Sequence, residues 1–264
     1  MSDQRKSRKL LGWLLVPLLV IAAAGAWLVF DPAFQSGRAT LEATATLPKG
    51  EFERRVRDYI LNNPEVLMES ARRFEQRQRT AEKSEATAVL KARAEEIFRD
   101  RDSPVGGNPN GEVTLVEFFD YNCPYCRQVA PIMKEAEAAD PQLRVVYKEF
   151  PILGPNSSFS AKAALAVHRQ GKYLAFHKEL MLERGVADEA KVMRIAAKIG
   201  VDVDRMKSDM NDPAIGAAIE RNLALAQALR VGGTPSFVIG DQVLRGATDL
   251  KTLQALIRQA RTRQ

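Results

Sequence analysis

The stretch "FFDYNCPYCRQ" (residues 118–128) holds both cysteines of the chain, Cys123 and Cys126. It closes an apolar, β-branched run, "VTLVEFF" (113–119), that reads as a buried strand. It opens a helical pattern, "PYCRQVAPIMKEAEAA" (124–139). Cys123 therefore falls at a helix cap, where first-turn amides have no helical partner. Pro124 suits the next position, since its missing N–H would be unpaired there anyway. Several chemistries use two such thiols. A structural zinc site needs about four ligands, and only His168 and His177 remain, both inside helical patterns. A cysteine hydrolase has no use for a second thiol one turn on. An inert disulfide closing so short a loop contributes little. Reversible dithiol chemistry fits the spacing best, and no metal or other cofactor is called for.

Position then separates the two sulfurs. Cys123 at the helix tip is the expected nucleophile, and Cys126, one turn inward, the shielded resolving thiol. The helix end supplies about 0.3–1 kcal/mol and at most ~2. At about 1.4 kcal/mol per pKa unit, that moves a thiol by about a unit or somewhat more. A larger shift needs direct hydrogen bonds to the thiolate, from amides near Tyr125 or from the Cys126 thiol.

Outward from the pair, "LRVVYKEFPI" (143–152) is a second strand. A helical region follows with Asn156 or Ser157 as its cap. It breaks near Gly171, Gly185, Gly200 and Pro213 and ends at Leu229. "PSFVI" and "QVLRG" flank a tight Gly240–Asp241 turn, which signals a hairpin. A last helix runs from its cap, Asp249, to Arg261. The order β–α–β, helices, β–β–α describes an α/β, thioredoxin-like fold over 112–155 and 232–264, with an inserted helical domain at 156–231.

The front of the chain has a different character. "LLGWLLVPLLVIAAAGAWLVF" (10–30) carries no charge and is long enough for a roughly 30 Å hydrocarbon core. Residues 1–9 form a basic tail that should stay cytoplasmic. The run reads as a transmembrane anchor, with a cleaved signal sequence as the alternative. Either way the remainder is exported, in a bacterium-like cell to the oxidising periplasm. A Thr-, Ala-, Gly- and Pro-rich linker covers 31–50. Over 51–101 short apolar stripes (Phe52, Val56, Tyr59, Ile60; then Leu67, Ala71, Phe74) flank a segment, "EQRQRTAEKSEATA", that is polar on every side. It is either a solvent-spanning helix or no firm helix. The segment is too short for its own core and must pack on the main domain or on copies of itself, and self-association is the preferred expectation. "SPVGGNPNG" (103–111) is a boundary of turn formers. The net charge of +6 is concentrated at the two ends, with no basic stripe among aromatics, which argues against nucleic acid as a partner.

Over roughly 112–262, "EFFDYNCPYC", "GGTPSFVIG" and the helical insertion between them resemble the DsbA-like thiol-disulfide oxidoreductases. The resemblance implies that Thr234–Pro235 is a cis peptide facing the dithiol. For X–Pro, cis costs only about 0.5–1 kcal/mol. The Thr234 backbone would pair with an extended client chain, beside Pro124 and Tyr125. It further implies that Glu117 is a buried acid assisting proton movement at the resolving thiol, with Lys148 as a charged neighbour. "VRDYILNNPEVLMES" (56–70) looks like the N-terminal helical segment of the ScsC (suppressor of copper sensitivity) group, in which it mediates oligomerisation and some members act as disulfide isomerases. The implied clients are unfolded or misoxidised exported proteins, and a membrane redox partner would reset the dithiol. The alternative is a periplasmic protein that sequesters copper with the same two soft thiols.

Overall fold

The computed structural model describes residues 48–263, so the basic tail, the apolar run at 10–30 and nearly all of the linker lie outside the described residues. Five strands make one mixed sheet: β1 (Val105–Gly107), β2 (Val113–Phe119), β3 (Leu143–Glu149), β4 (Ser236–Ile239) and β5 (Gln242–Arg245), in the order β1-β3-β2-β4-β5. The central pair β2–β3 is parallel and every other pairing is antiparallel. Both central strands are almost wholly buried, as expected for parallel strands covered on two faces. β4 and β5 meet in a two-residue turn at Gly240 and Asp241, where Gly240 takes φ 57°. A Cβ at Gly240 would also lie 3.2 Å from that of Ala260, so the turn needs glycine twice over.

The helices are α1 (Lys49–Asn62), α2 (Glu65–Ala92), α3 (Ala94–Phe98), α4 (Pro124–Ala139), α5 (Pro155–His168), α6 (Tyr173–Leu182), α7 (Glu189–Lys198), α8 (Val203–Met210), α9 (Pro213–Ala228) and α10 (Leu250–Arg261). The breaks in the inserted region fall where the glycines stand: Gly171, Gly185 and Gly200 all take positive φ, and Pro213 opens α9. Asp249 caps α10 by accepting from the Thr252 N–H. α5 starts earlier than Asn156 or Ser157. Its cap is Gly154 and Pro155 fills the first helical position, which leaves the Ser157 hydroxyl for a bond from Asn122. A second difference is β1, a three-residue edge strand inside the stretch read as turn formers.

Alternation along the strands divides the core in two. On one face Leu115, Phe119, Val145 and Tyr147 join Val129 and Met133 of α4, Leu253 and Ile257 of α10, and the inserted helices. On the other, Val116, Phe118, Val146 and Val238 pack with Leu90, Ile97, Leu225 and Leu229. The chain forms two compact units, through Gln76 and from Arg77 onward. Leu90 and Ile97 thus belong to the core of the second unit, so the end of the 51–101 segment packs on its own domain. The polar middle of that segment is helical, as part of α2. In the first unit Phe52, Tyr59, Leu67, Met68 and Phe74 are exposed. Among the described residues no helix is long and apolar enough to cross a membrane.

Candidate active site

The parallel crossover delivers the chain from β2 through Asp120–Asn122 to the tip of α4. Cys123 is the N-cap (φ −79°, ψ 118°) and Pro124 the first helical residue. Three side chains fix this junction. The Asp120 carboxylate accepts from the N–H groups of Asn122 (2.8 Å), Ile152 (2.9 Å) and Leu153 (3.0 Å). Asn122 accepts from the Ala187 N–H at 2.7 Å and donates to Ser157 Oγ at 3.2 Å. Arg127 donates to the Gly185 carbonyl at 2.5 Å. The last two bind the dithiol loop to the inserted helices.

Both cysteines are free thiols. β4 pairs with β2 in a register that sets Phe237 beside Glu117 and Ser236 beside Phe118. That register brings the residue pair before β4 to the cysteines. Thr234–Pro235 is cis, and the Cys123 thiol donates to the Thr234 carbonyl at 3.2 Å. No first-turn amide caps the Cys123 side chain, so in the dithiol form this carbonyl takes the place expected for amides near Tyr125. Cys123 is 4% exposed and Cys126 fully buried, whereas Tyr125 between them is 59% exposed. Burial pushes the Cys126 thiol well up, and the neighbouring Glu117 carboxylate adds to the shift. Cys126 stays protonated until a base takes its proton.

Glu117 is buried on the same sheet face. Burial, and secondarily the charge of Glu137, push its carboxyl up to about 8. Lys148 is not its companion. The β2–β3 register places Tyr147 beside Glu117 and Lys148 beside Phe118, so Lys148 points to the other face. There its ammonium binds the Asp100 carboxylate and the Glu96 carbonyl, 2.7 and 2.8 Å away. The expectation of Lys148 as a charged neighbour of the dithiol is corrected by this alternation.

Several polar groups behind the site carry no motif. Glu149 accepts from the Tyr173 hydroxyl at 2.7 Å and the Tyr121 hydroxyl at 3.3 Å, and burial holds its carboxyl well above the usual range. Tyr121 also meets His177 Nδ1 at 3.2 Å, and burial lowers that imidazole to about 3. Tyr147 donates to Glu137 at 2.7 Å. The usable signal was strand alternation: residues 117, 147 and 149 share one face once the parallel register is known. His168 is half-buried on α5 with its imidazole lowered by burial. Among the described residues no cluster of three or more His, Cys, Asp or Glu is placed to hold a metal.

The family follows from comparison. The DSBA-like thioredoxin domain model matches residues 114–258, more than half of the chain, so the chain belongs to that family. The model of the copper resistance protein ScsC N-terminal domain matches residues 49–81. Among solved structures, a thioredoxin-like oxidoreductase from Silicibacter pomeroyi is 48% identical, with a TM-score of 0.63 over 64% of this chain and 97% of its own. A linker-deletion mutant of Proteus mirabilis ScsC is 28% identical, with a TM-score of 0.64 over 83% of this chain and 99% of its own. Among curated relatives, a Na(+)/H(+) antiporter NhaA from Salinispora tropica is 29% identical over 163 residues, 61% of this chain. The chain spans about a quarter of the length of the first such relatives.

Proposed function

We propose that the protein is a periplasmic thiol-disulfide oxidoreductase that forms or rearranges disulfides in exported proteins. The observation that carries this reading is the asymmetry of the thiols. Cys123 sits at a helix tip with its Sγ 3.2 Å from the Thr234 carbonyl, and Cys126 is shut in beneath it beside Glu117. In the reduced form the Cys123 thiolate attacks a client disulfide, giving a mixed disulfide and one client thiolate. Cys126 then loses its proton to Glu117 and attacks Cys123 Sγ, which closes the Cys123–Cys126 disulfide and expels the second client thiolate. In the reverse direction a client thiolate attacks that disulfide at Cys123 Sγ and expels the Cys126 thiolate, which takes up a proton. A second client thiolate then attacks the client sulfur of the mixed disulfide, expels the Cys123 thiolate and leaves the client with a disulfide. Once the Cys123 S–H is gone, the Thr234 carbonyl is free to accept an N–H from an extended client strand, with Pro124 and Tyr125 flanking it.

The exposed apolar residues of α1 and early α2 support self-association through the front segment, and with it a lean toward rearrangement over one-way oxidation. A membrane redox partner resets the dithiol, and residues 10–30 hold the protein in the inner membrane. The test is trapping in cells: Cys126→Ser should accumulate mixed disulfides with exported proteins, and Cys123→Ser should accumulate none. The match to a copper resistance domain keeps one second reading, sequestration of Cu(I) by the two thiolates. A tight one-to-one copper complex without turnover of any disulfide substrate would favour it.

A further inference from the structure

The resolving step leaves a proton inside the protein, and Glu117, itself buried, must be rid of it before the next cycle. This inference rests on the dithiol reading above. Across the β2–β3 ladder Glu117 neighbours Tyr147, whose hydroxyl donates to Glu137 Oε1 at 2.7 Å. Burial raises the Glu137 carboxyl above its ordinary value, and the Tyr147 hydroxyl and the Gly107 backbone oppose that rise by favouring the carboxylate. Room for the pair is made at β1: a Cβ on Gly106 would lie 3.0 Å from the Tyr147 ring and 3.4 Å from Glu137 Oε1. Beyond the pair, Glu137 and Tyr147 line a cavity of about 350 Å³ between α4 and α6, walled by Met133, Leu174 and Met181. A buried acid, its cross-strand tyrosine, a second carboxyl and an opening thus follow one another from Cys126 outward.

We propose that Glu137 is a positioning residue of the resolving step: fixed by Tyr147 and reached from the cavity, its carboxylate sets the pH at which Glu117 takes the Cys126 proton. The cause is like-charge repulsion between two carboxyls in a dry interior, which favours the protonated form of Glu117. Other groups face the pair. Lys134 of α4 and Lys178 and His177 of α6 line the same cavity. Glu149 lies on β3 beyond Tyr147, and at the far end of α4 Arg261 of α10 is held by Asp140 and Glu112. All of them stay in place in the variants below and so drop out of the comparison.

Ellman's aromatic disulfide separates the steps with the full 264-residue chain in detergent. The Cys123 thiolate releases one nitrothiolate and keeps the other as a mixed disulfide. Cys126, losing its proton to Glu117, releases the second and closes the protein disulfide. Glu137→Gln should move the pH midpoint of the second phase downward by roughly one unit, the size of a nearby buried charge. Tyr147→Phe should move it the same way by less, because losing the hydroxyl raises Glu137 itself and reduces its charge. The first phase should be unchanged in both and reports that the helix tip is intact. If the wild type shows two phases and the second-phase profiles of both variants superpose on it, the role of Glu137 is refuted while the dithiol reading stands. A wild type that releases a single nitrothiolate removes the dithiol reading itself, and this proposal with it.

Discussion

Replacing Glu117 by glutamine exchanges a buried acid for a neutral amide, and the consequence is a matter of pH. The folded carboxyl sits near 8, well above its ordinary value of 4.5. Between those values the folded state holds more protons than the unfolded one, so its stability falls as pH rises through that window and is flat beyond it. The slope is at most ~1.4 kcal/mol per pH unit for one group. Glu117→Gln should therefore gain on the wild type by a few kcal/mol between pH 5 and pH 9, read from urea unfolding at each pH. A difference that does not change with pH would contradict the burial of the acid. His177 works in the opposite sense. Its folded value near 3 lies below the ordinary 6.5, so its contribution is intact above about 6.5 and is lost as pH falls toward 3. At this scale the sequence was legible where the chemistry is local. Two cysteines after a strand, with proline between them, place the dithiol at a helix tip, with Cys123 as its N-cap and Cys126 one turn inward. Tyr147, Glu137 and His177 were not legible, because their meaning depends on a strand register and a helix packing that no local pattern states.

The second sheet face is the test among the elements. Ile97 on the short α3 and Leu90 near the end of α2 are buried against Val116, Phe118 and Val146. Truncating either to alanine should cost about 2–5 kcal/mol, measurable by thermal or denaturant unfolding. Lys148 belongs to the same face. Its replacement by alanine removes the ion-pair partner of Asp100 and should destabilise the domain by less than the ~3–5 kcal/mol of a fully buried pair, because Asp100 is partly exposed and keeps its bonds from Ser103 and Asp102. It should leave the rate of Cys123 alkylation unchanged, whereas a Lys148 beside the dithiol would alter that rate. The misplacement of Lys148 and the missing β1 share one origin. A strand's existence shows in its β-branched run, but which face a residue takes, and whether a Gly-Gly segment can add an edge, is decided by the partner strand. Capping was partly readable: Asp249 held because its carboxylate finds the Thr252 N–H, while Pro155 moved the start of α5 ahead of the two polar candidates.

For the whole molecule, the insertion between the halves of the sheet was legible from its length and its glycines, and the division at Gln76 was not. Helical patterning alone could not say that one end of the 51–101 segment enters the domain core while the other leaves its apolar side chains exposed. The informative deletion therefore ends at Gln76, where the first unit ends, since one running to residue 100 removes Leu90 and Ile97 with it. A chain starting at Arg77 should keep dithiol chemistry and lose both self-association and the rearrangement of scrambled disulfides. Light scattering and refolding of a scrambled substrate would show it, and unchanged rearrangement would contradict the role given to the front segment.

The most direct measurement is the alkylation of the reduced protein by iodoacetamide at neutral pH, with each cysteine followed by mass spectrometry. A poised helix-tip thiol above a sealed partner predicts that Cys123 reacts faster than free cysteine and that Cys126 is untouched until the protein unfolds. Equal labelling of the two sulfurs, or a Cys123 no faster than the free amino acid, would contradict the account.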